Sequence, residues 1–172
     1  MKIEIYTDGA CDQNPGGNGG WAFVIVVDGE EYFGCSSGEE ETTNQRMELT
    51  AAAEALEFYK KKADEEEFGA LRDVFLYSDS AYLINCVNQH WWAAWQRNGW
   101  HNSKKESVAN QDLWKRLIPF FETGEVQFKK LKGPSGNYWN ELVDEMAVKE
   151  RILTKRIVEN RKVSNKESTQ RK

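Results

Sequence analysis

Four acidic residues occupy positions where a folded sheet could bring them together. Asp8 ends the first predicted strand, just before a glycine-rich loop, and Asp79 ends the fourth predicted strand. Glu48 lies in the first turns of a long amphipathic helix, and Asp144 lies on the last helix. If the first and fourth strands are parallel neighbours, Asp8 and Asp79 emerge at the sheet edge where open α/β sheets bind ligands.

Such a cluster would need protons or cations, because two like charges 4 Å apart repel by about 4 kcal/mol at an effective dielectric constant of 20. Oxygen ligands without His or Cys favour Mg²⁺ or Mn²⁺ over zinc. Two such ions about 4 Å apart can activate a water and stabilise the leaving oxygen in phosphodiester cleavage. Alternatively, the four are ordinary members of a surface with 28 Asp and Glu residues, and spacing alone leaves both interpretations open.

The elements that must position these acids follow from the hydrophobic pattern, which predicts the order βββαβααβα. Leu49, Ala52, Ala53 and Leu56 recur at helical spacing, with Thr42 and Gln45 placed as a capping box. The predicted strands are 2–8, 21–27, about 31–37, 73–79 and 125–131, and the later predicted helices are 80–97, 108–121 and one from about Tyr138. We therefore expect an α/β fold with a five-stranded mixed sheet, three strands antiparallel and two parallel, flanked by helices.

Composition limits the class of protein. The length of 172 residues fits one domain, and 40% apolar content with seven Trp can form a substantial core. The pattern of the chain lacks the apolar run of a membrane helix and the features of a signal peptide. Cys11, Cys35 and Cys86 have neither zinc-finger nor CxxC spacing and are interpreted as reduced thiols. These features predict a soluble, cytoplasmic protein, which we expect to be a monomer.

Charge is distributed unevenly along the chain. Residues 1–150 carry a net charge of −11, whereas residues 151–172 carry +6. An acidic chain argues against nucleic-acid binding, because a binder must neutralise phosphates, but a basic terminus keeps that function open. The apolar pattern fades after Ile157, which predicts a folded domain at 1–157 and a polar, flexible basic tail at 158–172.

Five ordered motifs resemble the type 1 ribonuclease H family over about residues 3–150. They are YTDGACDQNPGGNGGWAFV, TTNQRMELTAAAEAL, YSDSAYLINCVNQHWWAAWQRNGW, NQDLWKRL and KGPSGNYWNELVDEMA. The resemblance implies a ribonuclease H-like fold and an endonuclease that cuts the RNA strand of RNA/DNA hybrids, leaving 3′-hydroxyl and 5′-phosphate ends. It also implies two Mg²⁺ ions, with Mn²⁺ as a substitute, held by Asp8, Glu48, Asp79 and Asp144, the acids that the topology had selected.

The resemblance also assigns residues to substrate binding. Asn14, Asn44 and Gln45 match positions that contact the RNA minor groove and its 2′-hydroxyl groups, although turn and cap chemistry would also explain them. Thr43 and Asn110 match a pocket for a phosphate of the DNA strand. A nearby position that is often basic in the family is Glu41 here.

Residues 90–105 resemble the basic protrusion of the family, which lies along the DNA strand. Trp91, Trp95 and Trp100 match its aromatic positions, and flat rings can pack against deoxyribose and bases. Trp91 and Trp95, four residues apart, are also explained as a helix-packing pair, whereas Trp100 follows Asn-Gly on a loop. The positive charge of this segment is limited to Arg97, Lys104 and Lys105.

One departure concerns the loop before the last helix, where relatives commonly carry a His and this chain has Pro134. We expect an active enzyme with altered kinetics, in which Ser135 or a water substitutes for the His. A non-catalytic module that binds hybrids, and a DNA transposase or resolvase on the same fold, remain alternative functions.

Overall fold

The first strand of the chain lies at the centre of the sheet. In the computed structural model, which describes residues 1–13, 16–131 and 136–171, the strand order is β3-β2-β1-β4-β5. The strands are β1 Lys2–Cys11, β2 Gly17–Val27, β3 Glu30–Thr42, β4 Asp73–Ser78 and β5 Val126–Lys130. Strands β1 to β3 pair antiparallel, whereas β4 joins β1 and β5 joins β4 in parallel. The predicted mixed sheet is confirmed.

Helices cover both faces of this sheet. They are α1 Asn44–Asp64, α2 Ala81–Asn88, α3 Trp91–Asn98, α4 Gln111–Thr123 and α5 Tyr138–Gln170. Side chains alternate along β2, so that Phe23 and Ile25 join the core with α1 and α4, whereas Val24 packs with Val143 and Ala147 of α5. The sheet therefore separates a large core from a smaller one under α5.

β1 and β2 are longer than predicted, whereas β4 ends at Ser78, one residue before the predicted end at Asp79. β1 continues to Cys11, so Asp8 lies within the strand rather than at its end, and β2 begins at Gly17 rather than at residue 21. The glycines predicted as a loop are partly strand residues, since Gly19 lies against Thr42 and Met47, and Gly20 lies against the backbone of α5. They leave space for neighbouring elements to approach closely.

The helical predictions need two corrections. The predicted helix at 80–97 is two helices, because His90 adopts a left-handed backbone (φ 57°) between α2 and α3, so the element order is βββαβαααβα. The α1 cap is Thr43 rather than Thr42. The Thr43 Oγ1 accepts a hydrogen bond from the Arg46 N–H at 3.1 Å, while Thr42 still pairs with Gly17 in the sheet.

The last helix continues beyond the predicted domain boundary. α5 runs to Gln170 and so passes through the predicted boundary between the domain at 1–157 and the tail at 158–172. Its side chains from Glu159 onward are exposed. The division into a domain and a flexible tail stays a prediction. Among the described residues, every helix is too short or too polar to cross a bilayer.

Candidate active site

The sheet register brings Asp8 and Asp79 together. The parallel ladder between β1 and β4 ends with Tyr6 opposite Tyr77. Two residues further along, Asp8, still within β1, and Asp79, just after the end of β4, lie close together beyond the last pair of this ladder. The predicted adjacency of the first and fourth strands is therefore what joins two residues that are 71 positions apart.

Glu48 reaches the same place because α1 approaches β1 unusually closely at Gly9. A Cβ at Gly9 would lie about 2.5 Å from the backbone of Met47 and Glu48, which no side chain could occupy. The N-terminal cap at Thr43 starts α1 five residues before Glu48, so this carboxylate lies in the second turn of the helix. Capping and close packing together fix its position beside Asp8.

Three carboxyl groups form the compact part of the cluster. Asp8, Glu48 and Asp79 each offer an oxygen within 4.8 Å of the oxygens of the other two. Asp8 is buried, Glu48 is half-buried and Asp79 is exposed, so the cluster opens to solvent on one side. Asp144, exposed on α5, lies outside this compact group but within side-chain hydrogen-bonding reach of Asp8.

Burial and the neighbouring negative charges raise the pKa of two of these acids, Asp8 and Glu48. Burial, followed by the charge of Asp79, raises the pKa of Asp8 from 3.8 to about 7, while the Gly9 N–H, donating at 2.9 Å, acts in the opposite direction. Burial and the charges of Asp8 and Asp79 also raise the pKa of Glu48 well above its ordinary value. A bound cation would remove this penalty.

The donor set fits a hard divalent cation. The Glu48 Oε2 is buried, and within the described part of the chain it has no hydrogen-bond partner. An unpartnered buried carboxylate oxygen is costly unless a cation or a proton compensates it. Since the three side chains offer only oxygen, Mg²⁺ or Mn²⁺ suits them better than zinc.

Arg46 connects the two residues predicted to hold a phosphate of the DNA strand. Its backbone N–H donates to Thr43, and its Nη1 donates to the Asn110 Oδ1 at 3.2 Å. The same guanidinium forms two hydrogen bonds with Asp112, at 3.0 and 2.8 Å. Sequence analysis missed Arg46, because its partners lie more than 60 residues away and leave no local pattern. Glu41 is exposed nearby with a left-handed backbone (φ 49°).

The predicted minor-groove residues divide into described and undescribed positions. Asn44 and Gln45 are exposed on the first turn of α1, one turn from Glu48, which is where a strand lying over the carboxylates would meet them. Asn14 lies outside the described residues, as do Pro134 and Ser135. The roles predicted for Asn14, Pro134 and Ser135 stay predictions.

The tryptophans predicted for the protrusion have different environments. Trp95 is only 8% exposed and packs against Trp114 (ring centroids 5.4 Å apart) and Trp100 (5.9 Å), so the structure supports packing rather than substrate contact for Trp95. Trp91 is half-buried and donates to the Gln89 side chain. Trp100 is half-buried, and the Lys115 Nζ lies 5.0 Å from its ring centroid, a positive charge that the sequence pattern did not associate with this segment.

A mixed five-stranded sheet with oxygen ligands at the carboxyl edge of its central strands is the arrangement of a metal-dependent hydrolase. Comparison with known proteins agrees with it. The RNase H family model matches residues 1–152. Ribonuclease H of Syntrophomonas wolfei is 51% identical over 146 residues, covering 85% of this chain and 93% of that protein. The chain belongs to the RNase H family, whose members are metal-dependent nucleases.

Solved structures share the fold at low sequence identity. LC9-RNase H1, described as a type 1 RNase H with the type 2 active-site motif, matches with a TM-score of 0.71 and 22% identity, covering 89% of this chain and 73% of that one. LC11-RNase H1 in complex with RNA/DNA hybrid matches with a TM-score of 0.63 and 20% identity, covering 87% of this chain and 96% of that one. The fold assignment thus holds well beyond the range of close sequence similarity.

Proposed function

We propose that this chain, acting as a monomer, is an endoribonuclease that hydrolyses the RNA strand of RNA/DNA hybrids with two divalent metal ions. Hydrolysis breaks the bond between phosphorus and the 3′ oxygen. The oxygen of the attacking water stays on the phosphate and a proton passes to the 3′ oxygen. The products are a 3′-hydroxyl and a 5′-phosphate end.

Asp8, Glu48, Asp79 and Asp144 would hold the metal ions, for which Mg²⁺ is the natural candidate and Mn²⁺ a substitute. When bound, the ions supply charge stabilisation for the attacking water and for the leaving oxygen. The buried Asp8 and half-buried Glu48 fix the deep side of the site, while exposed Asp79 and Asp144 leave the solvent side open for a phosphate.

The choice of a hybrid rests on residues around the cluster. Asn44 and Gln45 present amides one turn from Glu48, and amides can both donate to and accept from a 2′-hydroxyl group. Thr43 and Asn110, joined through Arg46, lie where a phosphate of the other strand would be held. Trp100 with Lys115 offers a flat, positively charged surface beyond them. The hybrid bound to LC11-RNase H1 supports the same substrate class.

The observation that carries the proposal is the carboxylate cluster itself. A module that only binds hybrids would have no use for three acids within 4.8 Å of one another, one with an unpartnered buried oxygen, at a surface that must meet phosphate. Such a cluster repels nucleic acid when metal-free. The free-energy cost of holding these acids together is explained if they bind cations that act on a phosphodiester.

The test compares Asp79→Asn with the matched control Asp73→Asn, an exposed acid at the opposite end of the same strand. With Mg²⁺ and a labelled hybrid, we expect Asp79→Asn to lose at least 100-fold in kcat with an unchanged melting temperature, and Asp73→Asn to retain activity. Removal of metal with EDTA should abolish cleavage, and the RNA products should accept extension at their 3′ ends.

Other substrates separate this function from its alternatives. Binding of the hybrid without cleavage at any Mg²⁺ or Mn²⁺ concentration would favour the non-catalytic module. Cleavage of duplex DNA at a rate comparable to that of the hybrid would favour a transposase or resolvase. Wild-type turnover in Asp79→Asn would remove the two-metal assignment.

A further inference from the structure

The C-terminal half of α5 carries a row of basic residues on the helix face that also carries Asp144. Arg151, Lys155, Lys162 and Lys166 follow Asp144 at intervals of seven, four, seven and four residues. At 100° per residue these intervals keep all five side chains within about 60° of one another around the helix axis. Four of the eight cations of residues 151–172 are therefore on the side of α5 that carries Asp144.

Packing fixes the direction of this row relative to the sheet. α5 lies directly on the backbone of Gly20 and Gly38, where a side chain would collide with the helix at Ala147 and at Thr154. Two turns after Thr154, the Arg161 guanidinium forms an ion pair with Glu40 of β3 at 2.8 Å. These contacts hold α5 across β2 and β3 near the active-site edge.

Lys155 and Lys162 consequently face the loop between β1 and β2. Both line a cavity of about 380 Å³ whose other walls include Asp12 and Gln13 of that loop, Asn18 of β2 and Glu41 at the end of β3. This loop connects the strand that carries Asp8 to its neighbour. The row therefore starts at the catalytic edge and continues outward along one side of it.

The ammonium groups of the row are available to an external anion. Within residues 1–13, 16–131 and 136–171, no ion pair within 4.0 Å involves Lys155, Lys162 or Lys166. Four acids line the cavity, namely Asp12, Glu40, Glu41 and Glu159. Asp12 accepts from the Asn18 backbone N–H at 2.8 Å and Glu40 pairs with Arg161, and among the described residues neither Glu41 nor Glu159 forms an ion pair with a lysine of the row. Exposed lysines beside a catalytic edge on an otherwise acidic domain match the charge of a phosphate backbone.

We propose that this row is a second duplex-binding surface, a basic arm that holds the phosphates of the hybrid flank on the side of the active site away from the 90–105 segment. The inference rests on the proposed function and adds a site to it. At 1.5 Å per residue, Lys155, Lys162 and Lys166 lie about 17, 27 and 33 Å along α5 from Asp144. At about 3.4 Å per base pair, that distance corresponds to ~5 to 10 base pairs beyond the cut.

The experiment compares two triple variants that lose the same charge. Lys155→Gln, Lys162→Gln and Lys166→Gln remove the arm. Lys149→Gln, Arg156→Gln and Arg171→Gln remove three other exposed cations, two from the opposite side of α5 and one, Arg171, from its C-terminal cap. The substrate is a duplex in which a short block of ribonucleotides fixes the cut position, with 12 base pairs on both flanks or with either flank trimmed to four. KM and kcat are measured from 50 to 200 mM KCl.

We expect the arm variant to raise KM about tenfold at 150 mM KCl and to lower the slope of log KM against log salt by about 2.7, because three phosphates are no longer neutralised. Its kcat should change less than twofold. Trimming the flank on the side away from the 90–105 segment should raise KM for the wild-type chain and leave KM of the arm variant unaffected. The control triple should keep the wild-type slope and the wild-type response to trimming.

Three results would contradict the proposed arm. They are an unchanged salt slope in the arm variant, an equal rise in KM in the control triple, and an effect of trimming on KM that persists in the arm variant. Failure of the proposed function looks different, since the wild-type chain would then not cut the hybrid. In that case the same slopes are measured by fluorescence anisotropy of the bound duplex, and they still decide whether the row contacts phosphate.

Discussion

The surroundings of Asp8 disfavour the ionised form of its carboxyl group. It is buried on the central strand, with Asp79 and Glu48 within 4.8 Å, and these surroundings raise its pKa to about 7. An acid whose pKa is higher in the folded than in the unfolded state destabilises the fold once it ionises. In metal-free protein the penalty is absent below pH 4 and grows between about pH 4 and 7.

Asp8→Asn should therefore stabilise the metal-free protein more at pH 8 than at pH 5. The rise in pKa from 3.8 to about 7 corresponds to a gain of about 4 kcal/mol in the free energy of unfolding at pH 8 and of less than about 2 kcal/mol at pH 5. Urea unfolding in the presence of EDTA at both pH values measures it, with the exposed Asp73→Asn as control. Equal effects at pH 5 and pH 8 would mean that Asp8 does not carry the repulsion.

Arg46 holds Asn110 in place while its own charge is matched by Asp112. Arg46→Gln should raise KM for the hybrid several-fold with little change in kcat, because Asn110 loses the guanidinium that holds its side chain, while the backbone N–H of residue 46 still donates to Thr43. Stability should fall by less than about 1 kcal/mol, since the ion pair with Asp112 is partly exposed. Steady-state kinetics measure the effect.

Arg116→Gln is the matched control, because Arg116 pairs with Glu54 and Glu57 at comparable exposure, away from Asn110. If both variants raise KM equally, the effect is one of net charge and not of the Arg46 contacts.

At the scale of elements, glycines decide how closely helices approach the sheet. Gly9 lets α1 bring Glu48 to Asp8, and Gly20 lets α5 rest on β2 next to Asp144. The strands in between keep their alternation, so the active-site edge is set by backbone contacts as well as by side-chain packing. A single methyl group at these positions would move a helix that carries an acid of the candidate site.

Gly20→Ala tests this packing. Its Cβ would overlap the Ala147 carbonyl oxygen and the Arg151 nitrogen, so we expect a loss of at least 1–3 kcal/mol in the free energy of unfolding. For a chain of this length that corresponds to a fall of about 2–4 °C in melting temperature per kcal/mol. Gly34→Ala is the control, since its nearest neighbour is the flexible Glu31 side chain at 3.2 Å. Similar melting temperatures for the two variants would contradict close packing of α5 on Gly20.

Local pattern predicted the strands and their order well, because alternation and apolar runs in 2–8, 21–27 and 73–79 are local features. It also selected Asp8 and Asp79, since parallel pairing follows from the intervening helix. It failed where long-range contacts decide, as in the strand glycines at 17–20, the break at His90 and the Arg46 link to Asn110. The placement of Trp95 in the core likewise depends on Trp114, which is 19 residues away.

At the scale of the whole molecule, the folded domain and the end of α5 differ in how much tertiary packing they have. From Glu159 onward the helix exposes its side chains, and the Arg161–Glu40 ion pair joins this part to the sheet. Helices without tertiary packing are marginally stable in water. The stability of the last turns of α5 therefore depends on their contact with the domain, whereas these turns add little to the stability of the domain.

Truncation after Glu159 should lower the free energy of unfolding by less than about 1 kcal/mol, the usual value of an exposed ion pair. Thermal unfolding of the full and truncated chains measures this difference, with added Mg²⁺ in both samples. A loss of more than about 2 kcal/mol would show that residues 160–172 belong to the cooperative unit. The far-ultraviolet circular dichroism difference between the two chains reports how much of the segment is helical, which tests the predicted flexible tail.

The cluster formed by Trp95, Trp100 and Trp114 has an optical consequence. Its rings lie 5.4 to 5.9 Å apart, close enough to exchange excitation energy, and they run from the fully buried Trp114 to the half-buried Trp100 beside the Lys115 ammonium. Indole emission shifts with the polarity and charge around the ring. A duplex that displaces water or the Lys115 Nζ from Trp100 would therefore change the intrinsic fluorescence of the protein, giving a dye-free signal for substrate arrival on this side of the site.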